Sequence, residues 1–80
     1  MKGVSITKEH RCFAASAVRK IIFLLREGRE QNEAVSQVLA DCADEVKPAI
    51  EDWHDNARAF SSNEKQLNFW GAMLKIITQG

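Results

Sequence analysis

Proline occurs once, cysteine twice and glycine four times in this 80-residue chain. So few chain breakers, together with 45% hydrophobic and 28% charged residues, exclude a disordered or low-complexity protein. Cys12 and Cys42 lie thirty positions apart and supply no disulfide framework. Both read as reduced, small apolar residues. No segment sustains the two-residue alternation of a half-buried strand, which argues against a sheet. The longest apolar run, Ile21–Leu25, is far too short to cross a membrane, and no signal-peptide pattern opens the chain. The expectation is a soluble, cytoplasmic protein without membrane contact, and the small size suggests a bacterial or phage source.

Catalytic signatures are missing as well. There is no Gly-x-Ser-x-Gly elbow, no P-loop and no glycine-rich phosphate turn, so an enzyme is not expected. His10 and Cys12 are two apart, which turns them to different sides of a helix. Cys42 and His54 have no partners at zinc spacing. Glu51–His54 matches one Glu-x-x-His motif, whereas a di-iron bundle needs two with further glutamates. No metal and no cofactor are expected.

What is present is segregated charge. Residues 1–29 hold seven Lys and Arg against two acids, a net +5. Residues 30–64 hold two against nine, a net −7, and residues 65–80 add Lys65 and Lys75 without an acid. The formal total of zero hides a basic front, an acidic middle and a mildly basic end. Such asymmetry points to charged partners, or to one segment pairing with another inside the molecule. An antiparallel hairpin of the first two segments would pair them, at about 0–1 kcal/mol for each exposed pair.

Apolar residues recur at helical spacing almost throughout. The spacing predicts a first helix from about Lys8 to Glu27, with Thr7 as N-cap and Gly28 as the residue that ends it. Its stripe is Phe13, Ala14, Ala17, Val18, Ile21, Leu24 and Leu25, widened by Ile22 and Phe23. A second helix should start at Asn32 as N-cap, with Val35, Val38, Leu39, Cys42 and Val46 inward. The phase continues through Pro48 to Ile50, Trp53, Ala57 and Phe60. Proline disfavours a helical Lys47, so two helices are preferred to one kinked helix, with Lys47 outside and Pro48 at the first helical position. A last helix should start at Ser61 or Ser62, Ser61 and Glu64 forming a capping box. Leu67, Trp70, Met73, Leu74 and Ile77 line one of its faces, with Phe69 and Ile76 beside it. Gly71 in mid-helix signals close backbone packing. The fold class is all-α, a single domain over residues 1–80, built as a small bundle of three to four helices. A chain this short buries only about 60% of its unfolded surface, so homodimerisation is an expected way to add to it.

Residues 39–53, with Leu39-Ala40 on one helix and Ala49-Ile50 followed by Trp53 on the next, resemble the repressor-type helix-turn-helix over about fifteen positions. The segment departs from that pattern at Asp44, where the turn usually has glycine, and at Val46, one place late for the usual apolar residue. The resemblance implies a nucleic-acid-binding regulator. On its implied recognition helix Lys47 and His54 are the basic candidates. Independently of the resemblance, the basic first segment, with Lys8, Arg11, Arg19, Lys20, Arg26 and Arg29, would supply a sequence-independent phosphate grip. The acids Glu51, Asp52 and Asp55 on the implied recognition helix oppose that role.

Aromatic residues concentrate late, at Trp53, Phe60, Phe69 and Trp70. A domain with so broad an apolar arc on its last helix leaves an uncovered edge, which marks an interaction surface. The leading expectation is a non-enzymatic module that docks on a protein partner. Its contacts are expected from Phe69, Trp70, Met73 and Ile76 on the last helix and from Glu51, Asp52 and Asp55 in the acidic middle. Nucleic acid is the alternative partner.

Overall fold

The computed structural model describes residues 8–79, with side chains from His10 onward. Among these residues four α-helices follow one another: α1 (Lys8–Arg26), α2 (Gln31–Asp41), α3 (Lys47–Ala57) and α4 (Asn63–Gln79). A 3-10 turn, Asp44–Val46, precedes α3, and no strand is present among the described residues. The all-α expectation holds.

α1 carries Ala14, Ala17, Val18, Ile21, Leu24 and Leu25 into the core, a stripe with the i, i+3, i+4, i+7 spacing of one helix face. Ala15 is buried too. Phe13 departs from the expected stripe and is half exposed. The helix ends where a positive φ is needed. Gly28 has φ +94°, its N–H donates to Leu25 O, and the N–H of Arg29 reaches Leu24 O, both at 3.1 Å. This is a Schellman closure, and it fits a residue without a Cβ. Thr7, expected as the N-cap, lies outside the described residues.

Three boundaries differ from the sequence reading. α2 starts at Gln31, not after an Asn32 cap, and Glu30 in the cap position makes no side-chain cap bond. Asn32 is unavailable because its Oδ1 accepts the Nε2–H of His54 at 2.9 Å. Two helices do flank Pro48, but the break lies upstream. Cys42 and Ala43 are extended (ψ 168° and 142°), whereas Lys47 is helical (φ −57°, ψ −46°) and belongs to α3. Pro48 sits in the first turn of α3, where a missing N–H leaves no bond unmade. At α4 the Oγ of Ser62 accepts the N–H of Lys65 at 3.2 Å. The cap is therefore Ser62, one residue after Ser61, and Glu64 closes no capping box.

All four helices contribute to one core, whose bulkiest fully buried side chains are Trp70, Ile21, Leu25 and Ile50. Burying an aliphatic side chain of this size stabilises by about 1.5–3 kcal/mol. α1 packs most extensively against α4 and next against α2. Two polar residues, Gln31 and His54, are buried. Gln31 donates Nε2–H to Ala57 O (3.3 Å) and accepts Trp70 Nε1–H on Oε1 (2.7 Å), joining α2, α3 and α4. Asn63 Nδ2–H donates to Leu25 O at 3.1 Å, tying the start of α4 to the end of α1. The two bonds of Gln31 give partners to polar groups that the core shields from water.

Candidate docking groove between the first and last helices

α1 and α4 run antiparallel, and their outer flanks do not close over each other. Near one end, Arg11, Cys12 and Ala15 of α1 face Ile77 and Thr78 of α4. Toward the other end, Ile22, Phe23 and Arg26 face Leu67, Gly71 and Leu74. Arg19 borders both stretches, so the two hollows adjoin along one flank of the α1–α4 pair. On α1, Arg11, Arg19 and Arg26 are eight and seven residues apart, about two turns each, and share one flank. On α4, Leu67, Gly71, Leu74 and Thr78 repeat at four, three and four and share the facing flank. Ile22, Leu67 and Leu74 are half-buried in its lining, and Phe23 is 58% exposed at its edge.

Gly71 lies in this lining. A Cβ placed on it meets nothing within 4 Å. The close packing expected at this glycine is absent, because the position opens on the groove instead of on a neighbouring helix.

The residues expected to bind a partner divide. Trp70 is fully buried (0%) with its indole N–H bonded to Gln31, so it is a core residue and not a docking residue. Phe69 is half-buried between two rings, 5.8 Å from Phe60 and 5.3 Å from Trp70 at an interplanar angle of 88°. Met73 is half-buried and Ile76 is 62% exposed. Phe69, Met73 and Ile76 share the flank of α4 opposite the groove. Glu51 and Asp55 are exposed on α3. Asp52 is half-buried, and its Oδ2 has no hydrogen-bond partner. In sequence Arg26 reads only as part of a phosphate grip and Gly71 only as a packing glycine. The eight- and seven-residue spacing of the arginines is the signal that groups Arg26 with Arg11 and Arg19.

The basic residues separate in the same way. Lys20 pairs with Asp41 across α1 and α2 at 3.1 Å, the only bridge between those helices among the described residues. Arg29 pairs with Glu33, Lys47 with Asp44 and Arg58 with Asp55, all local. Arg11, Arg19 and Arg26 reach no carboxylate among the described residues. The hydrogen bond from Lys47 holds the Asp44 carboxyl below its ordinary range and raises the Lys47 ammonium. Both potential phosphate contacts Lys20 and Lys47 are thus engaged by acids.

Burial pushes the Cys42 thiol up, leaving it protonated at neutral pH. Burial, reinforced by the charge of Arg58 and opposed by Asp55, lowers His54. Among the described residues no three of His, Cys, Asp and Glu gather as metal ligands. No described helix is long and apolar enough to cross a membrane. Compared with protein families, with curated proteins and with solved structures, the chain matches none.

Proposed function

We propose that this chain is a non-enzymatic helical interaction module that docks on a protein partner through the open flanks of α4. The observation that carries this reading is the surplus of apolar side chains outside a core that is already closed. Phe23 and Ile76 are more than half exposed, and Ile22, Leu67 and Leu74 line an open groove. Apolar surface of this kind is a contact surface when it is contiguous. The acidic face of α3, with Glu51 and Asp55 outward, would add a charged rim to the docking area.

Site-specific photo-crosslinking tests the reading. A benzophenone side chain is placed in turn at Phe23, Ile76 and Asp55, and the tagged protein is exposed to nuclease-treated host lysate. A discrete protein adduct from Phe23 or Ile76 is expected. The absence of any protein adduct from all three positions would overturn the module reading.

Nucleic-acid binding is the second reading, favoured by Arg11 and Arg19, which share one flank of α1 and reach no carboxylate among the described residues. It predicts adducts that disappear with nuclease, and affinity that falls steeply with salt. Homodimerisation would use the opposite flank, at Phe69, Met73 and Ile76. Sedimentation equilibrium of the wild type and of Ile76→Asp checks it.

A further inference from the structure

We propose that the α1–α4 groove receives an acidic amphipathic helix of a partner protein, a statement that rests on the module reading above. The argument starts from its two kinds of lining. The floor is aliphatic, from Ile22, Leu67 and Leu74. The rim is cationic, from Arg11, Arg19 and Arg26. Arginine lays its methylene stem along apolar surface and keeps its guanidinium in water. A ligand that suits both must present apolar residues inward and carboxylates at its edges.

The rim charges are open to such a ligand. Lys20, Arg29, Lys47 and Arg58 have acids of this chain within ion-pair distance, whereas the three groove arginines have none among the described residues. Glu64 is the one carboxylate in the lining, at the Arg26 end.

Shape points to a helix. Arg11 and Arg26 are fifteen residues apart on one straight helix, about 22 Å or four turns of a parallel guest. Insertion of one helix between two others is a recurring recognition mode read at i, i+3, i+4 and i+7. Gly71 supplies the independent structural sign. Its φ is not in the left-handed region, and no atom of the chain crowds its Cβ direction, so neither backbone nor packing within the chain calls for glycine. A missing side chain on a groove floor lets a guest backbone come close.

Other occupants fit less well. Phosphates would satisfy the guanidiniums but leave the aliphatic floor wet. A second copy docking face to face would set arginine stripe against arginine stripe. The chain's own acidic helix cannot serve as the guest, because Ala49, Ile50, Trp53 and Ala57 of α3 are buried in its core.

The test uses the full chain and a designed fluorescent peptide of about 18 residues, five helical turns. Leucines line one face of the peptide and glutamates flank them; a twin carries lysines in place of the glutamates. Fluorescence anisotropy is read for both peptides and for a labelled DNA duplex. Wild type should prefer the acidic peptide. Arg19→Glu with Arg26→Glu should weaken that peptide about tenfold or more and reverse the preference. Gly71→Leu, checked for its fold by circular dichroism, should weaken the acidic peptide to a similar extent. The inference fails if wild type does not prefer the acidic peptide, if the double variant changes nothing, or if DNA binds more tightly than the peptide. Capture from nuclease-treated lysate separates this failure from that of the parent reading. A protein held equally by wild type and the double variant removes the groove assignment and leaves the module standing. If no protein is held by either, both are removed.

Discussion

The α2–α3 half and the α1–α4 half of this protein bury their apolar residues to different degrees. In α2 and α3, Ala34, Val35, Val38, Ala49, Ile50, Trp53 and Ala57 are all buried. The large hydrophobic residues that stay exposed, Phe13, Phe23 and Ile76, all lie on α1 or α4. Length explains part of the contrast. α2 and α3 have 11 residues each, enough for one narrow stripe, whereas α1 and α4 have 19 and 17 and carry broader arcs. Two short helices cannot cover both flanks of two long ones. Charge follows the same division: Arg29, Lys47 and Arg58 near α2 and α3 pair with local acids, and the arginines on the groove flank of α1 pair with none among the described residues. One half is finished by folding, and the other presents surface.

The largest test of that contrast sets Trp70 against Phe23. Trp70→Ala removes a fully buried indole and should cost about 3–5 kcal/mol, enough to unfold most of the protein. Phe23→Ala should stay within about 0.5 kcal/mol in urea titrations. Equal losses would erase the distinction between core and open flank. Next in size is Gln31→Ala, which strands the buried Nε1–H of Trp70. It should cost about 1–3 kcal/mol by the same measurement, and a neutral result would mean water takes over that bond.

Gly71→Ala tests the open flank from the other direction. It should raise the thermal midpoint, with a gain of up to about 1 kcal/mol, because alanine favours helix and nothing crowds its Cβ. A loss would show that the groove closes on this residue.

The smallest effect is expected at His54, on the closed side. Burial depresses its pKa below the ordinary 6.5, so the unfolded chain takes up a proton more readily than the fold. Stability contributed by neutral His54 is present above about pH 6.5 and falls as pH drops through that value toward the lower folded pKa. Urea midpoints should decline over that window in the wild type and less in His54→Gln. Identical slopes would place the titration elsewhere.

Much of the fold was legible because it rests on periodicity. The limits of α1 and the role of Gly28 follow from spacing and from the need for a positive φ. Local rules of similar strength compete elsewhere, and there the reading slipped. The steric bias before proline did not keep Lys47 out of α3, since an earlier extended link at Cys42–Ala43 had already separated the helices. Val35 and Val38 before that link and Val46 and Ile50 after it all reach the same core. Adjacent serines made the α4 cap ambiguous by one residue, and the hydrogen bond to Lys65 decides for Ser62. The candidate site was less legible. An apolar arc on one helix does not say which part a neighbour covers, so Trp70 and Ile76 looked alike in sequence and lie at opposite extremes of burial. Gln31 gave no signal, because a core glutamine is recognised only by the partners that satisfy it.

The bond between Trp70 and Gln31 has an optical consequence. The chain has two tryptophans and no tyrosine, so its near-ultraviolet emission comes from Trp53 and Trp70. An indole sealed from water emits further to the blue than a hydrated one. Trp70 sits on the helix that borders the groove, with its N–H held by α2. Any guest that levers α4 away from α2 would let water reach that ring and move the spectrum to the red. A guest that only fills the groove would leave the colour unchanged. The unmodified protein thus carries its own dye for telling a rigid receptor from one that opens.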